Sequence, residues 1–115
     1  MFVRHADTQA INHLRKEQGL VNNRNWRDIY NLADPGMYGV IDMLEKNQLP
    51  LPEVGFEIFN KQREIVSELE LAWPLKKVGV AVNKESAIVA SREGWKVFSM
   101  RHALSRFDDL TNRVR

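Results

Sequence analysis

At 115 residues, with 43% hydrophobic and 28% charged residues, the chain has the balance of an ordinary globular domain and room for one hydrophobic core rather than two. No apolar run approaches the roughly 20 residues that span a bilayer, and the lack of cysteine excludes disulfides and thiolate metal sites. Net charge is only +2, but it is unevenly spread. Residues 32–75 hold eight acids against three bases, and residues 76–115 hold nine bases against four acids. A basic end permits phosphate binding, and an acidic middle permits a metal or a basic partner. The start, Met1-Phe-Val-Arg-His-Ala-Asp7, turns polar too soon for a secretory signal, so the expected location is cytoplasmic, with no membrane partner.

In chain order, Asp7-Thr8 predicts a helix start with Ile11 and Leu14 on one face and Gly19 as the stop. Asn25 is a second cap, with Asp28 at the third helical position and Trp26, Ile29 and Tyr30 on one side. Asp34-Pro35 is the clearest start signal, because a capping carboxylate precedes a proline whose missing N–H costs nothing there. Met37, Val40, Ile41 and Leu44 then form an apolar stripe that ends before Pro50.

After the extended Pro50-Leu-Pro52 linker the period changes from helical to alternating. Val54, Phe56 and Ile58 predict a strand, and residues 60–63 a hairpin turn. Residues 65–73 predict a second strand, with Leu69, Leu71 and Trp73 on one face and Glu68, Glu70 and Ala72 on the other. Pro74 stops the pairing. Val78, Val80 and Val82 predict a third strand, residues 84–93 a helix closed by Gly94, and residues 95–99 a fourth strand. Residues 101–113 predict one amphipathic helix with Ala103, Leu104, Phe107 and Leu110 inward. The expected fold is α/β (α+β): an αβββαβ mixed four-stranded sheet flanked by helices, with extra N-terminal helices. The expected organisation is a single domain over 1–115, helical over 1–49, with the αβ core and C-terminal helix over 50–115.

The wording of Glu70-Leu-Ala-Trp-Pro74, Lys76-Lys-Val-Gly-Val-Ala-Val82 and Gly94-Trp-Lys-Val-Phe98, in this strand order, resembles the PD-(D/E)XK nuclease superfamily. It is most similar to the very-short-patch-repair endonuclease-like branch. Segments of similar wording also occur at the C-terminal ends of large bacterial helicase-type proteins, some associated with phage defence. The resemblance covers roughly residues 50–100 and implies two carboxylates on adjacent strand ends holding Mg²⁺, which activates water against a phosphodiester. Glu70 matches the first carboxylate, and Glu68 stands two residues earlier. Where the family has its second carboxylate this chain has Ala81, followed by Asn83 and Lys84.

Three readings of these acids stay open. They are solvent-facing strand residues, relics of a nuclease site kept as scaffold, or part of a site rebuilt from Glu70 with Glu57 or Glu53. Elsewhere His5, His13 and His102 lack zinc-ligand spacing. The serines lack a nucleophile elbow. Trp26, Trp73 and Trp95 lie in apolar patterns that read as core rather than as base-stacking platforms.

The resemblance and the basic ends together imply a nucleic-acid-associated module with a nuclease-like, catalytically degenerate fold. DNA is the expected ligand, with Lys76, Lys77, Lys84, Arg101, Arg106 and Arg113 on the phosphates, and a helicase or other protein as further partner. The first alternative is an active Mg²⁺-dependent endonuclease using Glu70 and Glu57 with Lys84 as the positive group, and Glu70 and Glu68 on the metal. The second is a protein-interaction adaptor without a nucleic-acid role. In the first reading no cofactor is required.

Overall fold

The computed structural model describes residues 25–115, and the helix expected over residues 7–19 lies outside them. Helix α1, Trp26–Leu32, begins at Asn25, whose side chain accepts the Asp28 N–H at 2.9 Å. That bond satisfies one of the orphan donors of a helix start. Asp34 does the same for Gly36 N–H at 2.7 Å, opening a 3₁₀ turn over Pro35–Met37 that runs into α2, Tyr38–Lys46. The predicted stripe is the buried face: Met37, Val40, Ile41 and Leu44 are all at most 1% exposed.

Strands β1 (Glu53–Phe59), β2 (Ile65–Trp73), β3 (Val78–Ala81) and β4 (Lys96–Ser99) form one sheet in the order β1-β2-β3-β4. The first two pairings are antiparallel and β3–β4 is parallel, with helix α3 (Lys84–Arg92) as the crossover. The mixed α+β architecture is therefore the one expected from the strand order. Helices α4 (Met100–Ser105) and α5 (Phe107–Val114) follow β4.

Helices cover both faces of the sheet, and the core is accordingly in two parts. On the first face α1, α2, α4 and α5 contribute Ile29, Ile41, Leu44, Ala103, Leu110 and Val114, packed on Val54, Leu71, Trp73, Val78, Val80 and Phe98. On the second face α3 alone, through Ala87 and Ala90, covers Phe56, Ile58, Leu69, Ala72, Ala81 and Val97. The second core is thinner, and the aromatic pair Phe56–Trp95, with ring centroids 5.4 Å apart, closes it.

Three expectations need correction. The C-terminal segment is two helices rather than one, broken at Arg106 (φ −123°, ψ 44°). No glycine or proline marks the break. It redirects the chain so that Arg115 reaches back to donate to the Asn47 carbonyl at 3.0 Å. Leu104 is consequently 46% exposed instead of inward, and Val114 joins the core. Val82 lies beyond the end of β3 and is also 46% exposed.

The third correction concerns β2. Leu69 does not share a face with Leu71 and Trp73, because it packs in the second core while they pack in the first. The cause is an irregularity shared by two strands. Val54 pairs with Leu71 and Phe56 with Leu69, with Gly55 and Glu70 between these pairs. Gly55 has φ +68°, a left-handed conformation that glycine adopts without steric cost. One extra residue on each strand leaves the register intact and exchanges the faces. Leu69 then lies against Gly79, where a Cβ would come within 2.5 Å of its Cδ1.

Candidate functional site

The parallel pair β3–β4 ends in register, Ala81 beside Ser99. From those ends the chain departs in opposite directions, into α3 over the second face and into α4 over the first. Such a divergence at the strand ends is the place where open α/β sheets receive ligands. Each helix start is capped by its own preceding residue. Asn83 Oδ1 accepts the Ser86 N–H at 2.7 Å, and Ser99 Oγ accepts the His102 N–H at 3.0 Å. Lys84 and Arg101 stand exposed in the first turns of these two helices. A lysine and an arginine there add to the positive end of the helix dipole, while Glu85 in the same first turn of α3 offsets part of it, so an anion at this edge would be met by Lys84 and Arg101.

The acidic residues stand on β1 and β2 beside this edge. Glu57 and Glu68 are cross-strand partners, both exposed. Glu70 turns toward the first face, where its Oε2 accepts the Asp34 N–H at 2.7 Å. It therefore ties the 3₁₀ turn to the sheet across 36 residues of sequence. The same turn touches the start of α4, since a Cβ on Gly36 would lie 3.7 Å from Met100 Sδ. Glu53 pairs with Ala72, a second-core residue, so it is set apart from Glu70.

A Mg²⁺ site of the kind the resemblance implies needs two carboxylates free to converge on one ion. The residues at the matching positions do not supply that. Glu70 is engaged by a backbone N–H, Asn83 by its cap, and Ala81 is 1% exposed and carries no oxygen donor on its side chain. Among the described residues, no three His, Asp or Glu side chains are grouped to hold a metal ion.

The remaining bases stand mostly at the other end of the sheet. Lys76 and Lys77 form the β2–β3 turn, and the Lys77 carbonyl accepts the Lys96 N–H at 2.9 Å at the start of β4. Lys76 Nζ donates to the Arg115 carbonyl at 3.2 Å, which brings the end of α5 beside this turn. Arg113 is one turn of α5 back and is paired with Asp109 at 3.0 Å. Arg106 occupies the break between α4 and α5. Five of the six expected phosphate contacts thus fall at two ends, Lys84 and Arg101 beyond the ends of β3 and β4 and Lys76, Lys77 and Arg113 at the turn, while Arg106 stands apart at the α4–α5 break. Sequence reasoning passed over one residue here: Leu75, between Pro74 and Lys76, is 98% exposed. Its signal was an apolar residue inside a turn otherwise made of proline and lysine.

No helix among the described residues is long and apolar enough to cross a membrane. No family model matches the chain, and no solved structure matches it. Over 100 residues the chain is 36% identical to the Zorya protein ZorE of Escherichia coli. The match takes in 87% of this chain and 26% of that protein, so the chain spans about a quarter of the length of the curated relative it matches.

Proposed function

We propose that this chain is a nucleic-acid-associated module in phage defence, built on a nuclease-like scaffold whose carboxylates serve structure rather than hydrolysis. The likeness to a Zorya protein supports the defence setting. The observation that carries the nucleic-acid part is the exposed Lys84 and Arg101 at the divergent starts of α3 and α4. Phosphate oxygens seek such a place, where cations stand at the positive ends of helices. The non-catalytic part rests on Glu70, held by the Asp34 N–H, and on Ala81 at the position of the second carboxylate. A helicase-type protein is the partner the resemblance suggests.

The test is fluorescence anisotropy of labelled single-stranded, duplex and forked DNA at low and moderate salt. Binding should weaken steeply with salt, because each phosphate neutralised releases counterions. Salt-independent binding, or none at low salt, overturns the reading. Mg²⁺- or Mn²⁺-dependent cleavage that Glu70→Gln abolishes would replace it with the endonuclease.

A second reading has one observation in its favour. Phe59 and Ile65 are cross-strand partners at the free end of the β1–β2 hairpin, and both are more than half exposed. In a protein adaptor these would be the contact. Substituting both with serine would then abolish partner capture and leave DNA binding untouched.

A further inference from the structure

The turn joining β2 to β3 has a common hairpin geometry but is filled with side chains that this geometry does not call for. Pro74 sits where its fixed φ favours a type I turn, and Lys76 N–H donates to the Trp73 carbonyl at 3.0 Å. The Lys77 N–H closes a second bond to the Pro74 carbonyl at 3.2 Å. Lys77 itself has φ 54°, in the left-handed region where glycine or asparagine would be at ease and a lysine is strained. Beneath the turn, Trp73 is 5% exposed and its indole N–H donates to the Pro50 carbonyl at 2.8 Å. The turn is therefore held firmly, carries a lysine where one is unfavourable, and presents at its tip a leucine with almost its whole surface in water.

We infer that Leu75 is an apolar wedge that enters a distorted step of duplex nucleic acid, with Lys76 and Lys77 on the flanking phosphates. The inference rests on the nucleic-acid reading above and specifies the ligand. An aliphatic side chain offers no flat ring for an unpaired base to stack on, which is how single strands are held. Aliphatic residues are instead inserted between base pairs from the minor groove, where they part the stack and kink the helix. The cations around Leu75 suit that role, since two phosphate backbones border a minor groove. A stable protein interface would need a wider contact surface, roughly 800 Å² on each side. Among the described residues, this region offers besides Leu75 the side chain of Leu51, 37% exposed and adjacent to the Pro50 that anchors Trp73. The step entered most cheaply is one already weakly stacked, such as a mismatch or a pyrimidine–purine step.

The experiment uses the 115-residue chain and a duplex carrying 2-aminopurine beside a mismatch, with matched single-stranded DNA and vesicles of 30% anionic lipid in parallel. The unsubstituted chain should raise 2-aminopurine emission on binding the duplex. Leu75→Ala should weaken duplex binding about fivefold and abolish that rise, leaving the salt dependence unchanged. Lys76→Gln with Lys77→Gln should lower the slope of log K against log salt by about 2. Circular dichroism and thermal unfolding check that each variant folds, and an exposed turn residue should barely move either. If Leu75→Ala binds the duplex and perturbs 2-aminopurine as the parent does, the wedge is overturned while the nucleic-acid reading stands. An equal loss on single-stranded DNA overturns it too. Vesicle binding that depends on Leu75, with no effect on DNA, would make the turn a lipid contact. Absence of any DNA binding by the parent removes both readings together.

Discussion

The two ends of the sheet are finished differently. At the carboxyl ends of β3 and β4, side chains are spent on tying backbone: Asn83, Ser99 and Asp34 each cap a helix start, and Glu70 holds the Asp34 N–H. At the opposite end the β2–β3 turn closes on its own backbone bonds, with Lys76 Nζ reaching the Arg115 carbonyl and Leu75 left in water. The capping residues at the first end are occupied by the fold, and Lys84 and Arg101 are the exposed bases in the first turns of α3 and α4. The turn keeps Leu75 and its lysines outward at a conformational cost. Hydrogen-bonding side chains thus carry structure at one end, while an apolar side chain flanked by lysines faces outward at the other.

That contrast can be broken in stages, beginning with the largest effect. Glu70→Ala removes a charged acceptor from a backbone N–H and should destabilise the fold by about 2 kcal/mol in chemical denaturation. Glu70→Gln keeps an acceptor oxygen and should lose distinctly less. Equal losses would show that charge, not the bond to Asp34, matters at this position. Asn83→Ala deletes a helix cap and should cost about 1 kcal/mol, largely restored by Asn83→Asp.

At the other end the sign should reverse. Lys77→Gly relieves a left-handed lysine and should stabilise the protein by about 1 kcal/mol while weakening DNA binding. A gain in stability together with unchanged binding would mean the strain serves nothing at this turn. The smallest effect on stability belongs to Leu75→Ala, expected within about 0.5 kcal/mol in the same denaturation measurement. Its consequence is for binding alone.

Much of the fold was legible because it rests on local chemistry. Asp34-Pro35 announced its turn, Pro74 ended β2, and the switch from helical spacing at Val40–Leu44 to alternation at Val54–Ile58 separated helix from strand. What stayed hidden depends on distant contacts. Strict alternation put Leu69 with Leu71, and only the pairing across Gly55 and Glu70 sends it to the other core. A glycine inside a strand was a hint of this, but nothing local named its partner. The break at Arg106 is set by where α5 must end, beside Asn47 and Lys76.

At the site, the position of Glu70 was readable from its motif, but its bond to a backbone N–H 36 residues away was not. Leu75 was invisible for another reason. Apolar residues in sequence are presumed inward, and exposure at the tip of a turn becomes evident only when the strands on either side are placed.

The shared irregularity of β1 and β2 constrains how this chain can change length. Deleting Gly55 alone would leave Glu70 as an unmatched extra residue on β2, a one-sided bulge between the Val54–Leu71 and Phe56–Leu69 pairs. Deleting Gly55 and Glu70 together would leave Val54 against Leu71 and Phe56 against Leu69 with ordinary alternation, and both cores filled as before. The two positions are therefore coupled as a unit of insertion and deletion. Among relatives of this chain, a strand one residue shorter at the first should be one residue shorter at the second.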